Sequence, residues 1–371
     1  MPDVSGPAPA RATARAAAVR SAARTAALAL ALGAVAVALL AALLAVTGQP
    51  VGPALAALWR GALGSPDAIV SATMVRATPL ILAGLAVALA FRAGVLNVGA
   101  EGQLLAGAAA AAATGGALAP ALGGATVAVA VPAGALAGAL WAGVAALLRR
   151  RFDVLEVIST IMLNFVALAG VGYLVRGPLQ EPTRVYPQSA TLPPGARLPL
   201  LVPGSRLHLG FVLALAAAAL LWWTLRATAA GFRVRAVGLN PTAAASAGLI
   251  DVPRVTARAF LASGALAGLA GAVEVTGVTF ALYENLSPGY GYTAIAVALL
   301  AALHPLGVVG TGLLFGALEA GASAMQRDAG VPASLVSVVE ALLILAVLAA
   351  GPAGARLRAR AAAAKPAVAA R

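Results

Sequence analysis

Apolar runs of about 20 residues, each interrupted by glycine, proline or arginine, recur along the whole chain. Thr25–Val46, Ile69–Ala90, Gly123–Leu148, Val154–Leu174, Leu207–Leu225 and Phe260–Leu282 read as membrane-spanning helices. Leu104–Ala119 is shorter and very rich in alanine, which suits tight packing within a bundle better than contact with lipid. Thr293–Leu303 and Leu306–Ala320 flank His304-Pro305 and read as two spans joined by a tight turn, and Leu335–Ala350 reads as the last span. A short surface helix is expected around Ala54–Trp59, and Gly321–Gly330 reads as a polar loop. The fold class is therefore an all-α integral membrane protein of about ten transmembrane helices, covering residues 25–350.

Polar side chains break this pattern at few places. The stretch FRAGVLNVGAEGQLLAGA, Phe91 to Ala108, sets Arg92, Asn97, Glu101 and Gln103 among Gly94, Gly99 and Gly102. Such side chains need partners inside a membrane, and the glycines permit close backbone approach or a break in a helix. Two readings stand: a cytoplasmic hairpin between two membrane helices, or a broken, re-entrant element beside a translocation path. The fifth span carries Glu156, Ser159 and Thr160 on one helical face, with Asn164 one turn further on. That stripe either lines a path or joins helices. Glu274 in the seventh span, with Glu101, Glu156 and Glu340, could be a proton-linked carboxylate or a helix–helix hydrogen-bond partner.

Composition supports the membrane assignment. Only 10% of the 371 residues are charged and the mean hydropathy is +0.96, too few polar residues to coat a soluble domain. The net charge of +13 would suit a nucleic-acid binder, but its placement does not. Arg11, Arg15, Arg20 and Arg24 precede the first span, Arg149–Arg151 follow the fourth, and Arg356, Arg358, Arg360 and Lys365 follow the last. Together with the basic connection Arg226–Arg258, these clusters mark the cytoplasmic side by the positive-inside rule. Both basic tails, 1–24 and 351–371, are then cytoplasmic, and the proline-rich stretch 177–206 is outside. Anionic lipid headgroups are the expected electrostatic partners.

Catalytic chemistry finds little support. The sequence holds no GxxxxGK[ST] phosphate loop and no cysteine, and its two histidines, His208 and His304, lie far apart in the expected topology. The chain is not expected to be an enzyme or to bind a cofactor or metal directly. An ion-coupled transporter, a channel and an ATP-driven importer subunit all remain open from composition.

Four ordered blocks carry a resemblance. They are AGVLNVGAEGQLLAGA, EVISTIMLNFVA (Glu156–Ala167), RAVGLNPTAAASAGL (Arg235–Leu249) and YENLSPGYGYTAIAVALLAALHPLG (Tyr283–Gly307). Together they resemble the permease subunits of ABC importers for simple sugars and nucleosides, most closely the nucleoside-type branch, which is related to the ribose-type and branched-chain amino-acid permeases. The resemblance spans about Leu80 to Ala350. It implies a bacterial cell-membrane permease that moves nucleosides by alternating access. The implied partners are a second permease subunit, two cytoplasmic ATPases or a fused tandem ATPase, and a lipid-anchored solute receptor, with ATP used by the partners. Simple sugars are the alternative solutes, and an ion-coupled secondary transporter the alternative mechanism. Substrate-path candidates are Asn97, Glu101, Ser159, Thr160, Asn164 and Glu274, while Tyr283 and Tyr292 suit an outer gate or receptor contact. The resemblance maps the ATPase-coupling surface to the connection 226–258, with Gly231, Arg235, Gly238, Asn240, Pro241 and Gly248 as its candidates. LNVGAEGQ (Leu96–Gln103) also has a rough counterpart in LSPGYGYT (Leu286–Thr293), as an inverted internal repeat would produce.

Overall fold

The computed structural model of the protein describes residue 34 and residues 37–341, apart from 247, 249, 333, 336, 339 and 340. Most of the expected final span, with Glu340, and both basic tails lie outside the described residues. The chain divides into two compact units, Leu58–Ala324 and the flanking Met1–Ala57 with Met325–Arg371.

Among the described residues every long element is helical. In order they are α1 (Val37–Val46), α2 (Val51–Ala62), α3 (Met74–Arg92), α4 (Ala100–Leu122), α5 (Val127–Phe152), α6 (Glu156–Arg176), α7 (Gly210–Ala227), α8 (Ala229–Leu239), α9 (Pro241–Ser246), α10 (Val252–Glu274), α11 (Tyr290–Leu300) and α12 (Pro305–Ala329). One π-helical turn, Ala68–Thr73, leads into α3, and another, Val275–Thr279, follows α10. Among the described residues, seven helices are long and apolar enough to cross a membrane, and α1 and α11 are shorter apolar helices. The protein is an all-α, multi-span membrane protein.

Within Leu58–Ala324, α3 and α10 form the centre. From Val75 to Ala90, α3 is buried on nearly every side. α10 packs on α3, α4 and α5, with α6 outside α4 and α5, α7 against α3, and α11 against α3 and α4. No difference in hydrophobicity drives such helices together in lipid, so close van der Waals fit must do it. Gly134 and Gly138 on α5 face Gly264 and Gly268 on α10, and a methyl added at Gly138 would strike the α10 backbone. The alanine-rich α4 joins them through Gly107 against Gly268.

Several boundaries differ from the sequence-based expectation. α10 begins at Val252, well before Phe260, because Asp251 caps it: its Oδ1 accepts from the Arg254 amide at 3.0 Å, with Pro253 in the first turn. The basic connection is correspondingly shorter. α12 continues through the expected polar loop to Ala329, so Gly321–Gly330 is nearly all helix. The surface helix near Ala54 is longer, as α2.

The proline-rich stretch 177–206 is a fitted cap, not a loose loop. Its amides donate to the chain that follows α10: Ser189 N to Leu282 O at 2.7 Å, Leu192 N to Phe280 O at 2.7 Å and Leu198 N to Thr276 O at 2.8 Å. The Arg197 guanidinium lies 4.5 Å from the centre of the Phe280 ring. Ser189, Leu192 and Leu198 are buried as a result.

Candidate functional site

The segment after α3 turns back into the bundle. Arg92 ends α3 at the basic end of the molecule, where its Nε donates to Leu303 O at 2.8 Å, in the turn between α11 and α12. Gly94 takes φ +75°, which reverses the chain, and residues 95–99 are non-helical yet largely buried. α4 then starts at Ala100, and its second residue meets the first turn of α11. Because α11 is 11 residues long, that meeting point lies about 15 Å along the helix from its basic-end turn, about half the length of helix that spans a bilayer core. The buried course of residues 95–99 is the feature that favours the re-entrant reading over the hairpin.

A hydrogen-bonded hub fixes this stretch. Asn97 Nδ2 donates to Gln103 Oε1 at 2.9 Å and to Ser263 Oγ at 2.8 Å, while Asn97 Oδ1 accepts from Gly99 N at 2.9 Å and Gln103 Nε2 at 3.1 Å. Ser263 Oγ in turn donates to Ala86 O at 2.6 Å, so α3, α10 and the re-entrant stretch are tied at one depth. From α6, Asn164 Oδ1 accepts from Gly102 N at 2.8 Å, and its Nδ2 donates to Val98 O at 3.0 Å and reaches Tyr292 Oη at 3.3 Å. Glu101 Oε2 accepts from Gly291 N at 2.6 Å, and the Ser287 hydroxyl is a further partner of that carboxylate. One carboxylate therefore sits at the amino ends of two helices, α4 and α11, whose partial positive charges favour it. The two sequence blocks that look like repeats lead into these helices, whose amino ends meet.

The sequence-derived candidates separate into groups. Asn97, Glu101 and Asn164 come together in the hub, each buried and each hydrogen-bonded. Ser159 and Thr160 bond back to their own helix, at Glu156 O and Val157 O, and Thr160 packs against Gly99. Glu274 is not part of the hub; it is buried at the end of α10, within electrostatic reach of Arg76, Arg206, Tyr283 and Tyr290. Ser263 is a hub member that sequence reasoning passed over, although a lone serine inside an apolar span was the available signal. Two side chains leave the hub for the surface: Leu96, 48% exposed, and Tyr292, 43% exposed.

At the basic end, α7, α8 and α9 form an elbow. Thr228 Oγ1 accepts from Gly231 N and caps α8, and Asn240 Oδ1 accepts from Ala243 N to cap α9, which Pro241 opens. Gly231 lies against the backbone of α7 at Thr224 and Leu225, and Gly238 lies against Arg92 O and Gly94. Arg235 stands close enough to Arg92 to repel it, and Gly248 takes φ +72°. Leu239, the last residue of α8, is 87% exposed. A cavity of about 870 Å³ opens beside this elbow, lined by Gly94, Arg150, Glu156, Gly238, Pro241 and Phe260 among others. Arg149 pairs with Glu156 at 2.8 Å on its rim.

A many-spanned bundle with a buried polar hub, where two helix amino ends meet, and an exposed helical elbow at its basic end has the make-up of a membrane transport protein. The chain belongs to the family described as the branched-chain amino acid transport system / permease component, matched over residues 69–348. Its relatives include the glucose ABC transporter permease protein TsgB13 of Haloferax volcanii, 41% identical over 73% of this chain and 74% of that protein. The guanosine ABC transporter permease protein NupP of Bacillus subtilis is 40% identical over 81% of this chain and 87% of that protein. The nucleoside ABC transporter permease protein NupB of Lactococcus lactis is 31% identical over 77% of this chain and 80% of that protein. No solved structure matches the chain. The protein is a non-catalytic, membrane-embedded permease subunit of an ABC transporter, and the ion-coupled alternative is set aside by this membership.

Proposed function

We propose that the chain is the permease of a nucleoside importer, working with a second permease subunit, two ATPases or a fused tandem ATPase, and a lipid-anchored receptor. The observation that carries the nucleoside reading is the similarity to the guanosine permease NupP, which runs over 81% of this chain and 87% of that protein. Simple sugars are the second reading, favoured by the equally high identity to the glucose permease TsgB13. In this proposal both basic tails are cytoplasmic and the cap 177–206 is outside.

The path runs past the hub. Asn97, Glu101, Thr160 and Asn164 hold the re-entrant stretch so that Leu96 and Tyr292 face the solute, Ser159 lies on the same face of α6, and Glu274 sets the charge toward the outer end. An aromatic face beside fixed amides suits a base and a ribose. The elbow of Gly231, Arg235, Gly238, Asn240, Pro241 and Gly248 docks on the ATPase, with exposed Leu239 at its tip.

Reconstitution of the complex with its ATPase and receptor, offered labelled guanosine, adenosine, ribose and glucose in parallel, tests the substrate. ATP-dependent uptake of guanosine, competed by adenosine and not by ribose or glucose, is expected. Uptake of glucose without competition by nucleosides would move the protein to the sugar reading.

A further inference from the structure

α6 is tied to the first turn of α11 and to the chain leading into it at two polar points, the Asn164–Tyr292 contact in the hub and an ion pair at the far end of α6. Twelve residues of helix separate Asn164 from Arg176, so the two points stand about 18 Å apart. At the upper point Arg176 is bidentate on Glu284, Nη1 to Oε1 at 3.0 Å and Nη2 to Oε2 at 2.5 Å. The pair itself lines a cavity of about 430 Å³, together with Ala169, Gly172, Tyr173 and Gly177. That volume falls within the roughly 300–1,000 Å³ usual for small-molecule sites.

The position of Glu284 in the chain matters as much as its partner. On one side, Leu282 is stitched to the cap, its amide donating to Ser189 Oγ at 2.9 Å and its carbonyl accepting from Ser189 N. On the other side, Asn285 at φ +60° and Gly289 at φ +102° bend the chain into α11. Glu284 is therefore the boundary between a fixed segment and the lead that carries Tyr292. Gly172 keeps the approach open, since a side chain there would press on Glu284 Oε1.

We propose that the Arg176–Glu284 ion pair is the outer gate of the solute path, closing the crevice between α6 and the lead into α11 above the Tyr292 floor. The proposal rests on the importer reading above. Its occupant is a neutral, hydroxyl-rich solute, because a guanidinium and a carboxylate released from each other can both bond to hydroxyl and amide groups. The side chains are 60% and 32% exposed. An ion pair this exposed biases a two-state equilibrium by no more than about fivefold, weak enough for a solute-loaded receptor to open it.

The chain has no cysteine, so Arg176→Cys/Glu284→Cys can be joined selectively by a cleavable two-armed thiol reagent in the reconstituted complex. Joining should lower uptake of labelled guanosine and receptor-stimulated ATP hydrolysis at least tenfold, and cleavage should restore both. A one-armed reagent should leave them nearly unchanged. Separately, Arg176→Glu should raise receptor-independent uptake roughly two- to fivefold, and the reversal Arg176→Glu/Glu284→Arg should return it to the starting level. Full activity in the cross-linked complex, equal inhibition by the one-armed reagent, or no rescue by reversal would overturn the gate. Transport of glucose in place of guanosine changes the substrate and leaves the gate standing. An unmodified complex that moves neither probe overturns both substrate readings, and the gate is then decided by the cross-link's effect on receptor-stimulated ATP hydrolysis.

Discussion

Asn164 shows how one side chain can organise a membrane bundle. Its amide both donates and accepts, so it satisfies Gly102 N and Val98 O on either side of the start of α4. Neither group has a helical partner, and an orphaned buried group costs about 1–3 kcal/mol. His208 is the opposite case. Its ring is fully buried against Gly210 and Gly277, Nδ1 accepts from Gly210 N at 3.2 Å, and Nε2 has no partner among the described residues. Burial, helped by Arg206, pushes its pKa down to about 4 from the usual 6.5. Between these values the unfolded chain binds a proton that the folded one refuses, so folded stability falls as pH drops from 6.5 toward 4. The full effect is about 3 kcal/mol. Thermal unfolding of the detergent-solubilised protein should show that loss, and His208→Asn, which keeps an acceptor for Gly210 N, should flatten it. An unchanged pH profile in the variant would assign the loss to other groups.

The elements are joined by backbone contact as much as by side chains. α8 reaches α3 through Gly238, which lies against Arg92 O and Gly94, and Gly94 opens the re-entrant stretch that leads to the hub. In the coupling role proposed for the elbow, this contact is the route by which its movement reaches the start of α4. A methyl at Gly238 would have to displace the Arg92 carbonyl, whose residue also holds Leu303 in the turn before α12. Gly238→Ala should keep membrane insertion but reduce solute moved per ATP hydrolysed, on the order of tenfold. Gly310→Ala, with open space around the added methyl, should change nothing. The measurement is uptake and hydrolysis in the same proteoliposomes, and an unchanged ratio in Gly238→Ala would remove the contact from the coupling route.

For the whole molecule, α6 gives the clearest sense of direction. It runs from Glu156, paired with Arg149 at the basic end, to Arg176 at the opposite end, about 30 Å of helix and one bilayer core. Val185, on the cap, and Leu239, on the elbow, are both exposed and lie at opposite ends. Single cysteines at these positions in intact cells should therefore behave oppositely toward an impermeant thiol reagent. Val185→Cys should label from outside, and Leu239→Cys only after the membrane is opened. Labelling of Leu239→Cys from outside would invert the topology.

The sequence by itself determined the class of the molecule. Apolar run length, scarcity of charge and the position of arginine clusters act locally, through the cost of placing polar groups in lipid, and they need no knowledge of neighbours. The NVGAEGQ block could likewise be singled out, because Asn97, Glu101 and Gln103 cannot lie in lipid unpartnered. Even the early start of α10 was written in Asp251 and Pro253, and was hidden only by the arginines that follow. Tertiary structure decided what those polar groups do. Ser263 lies 166 residues from Asn97 along the chain, and Gly291 lies 190 residues from Glu101, so nothing local could pair them. The same holds for Arg176 and Glu284, 108 residues apart: each is an ordinary end-of-span charge until packing sets them face to face. Hydrogen bonds and ion pairs are short-ranged, and only the folded bundle fixes which of many possible partners comes within reach.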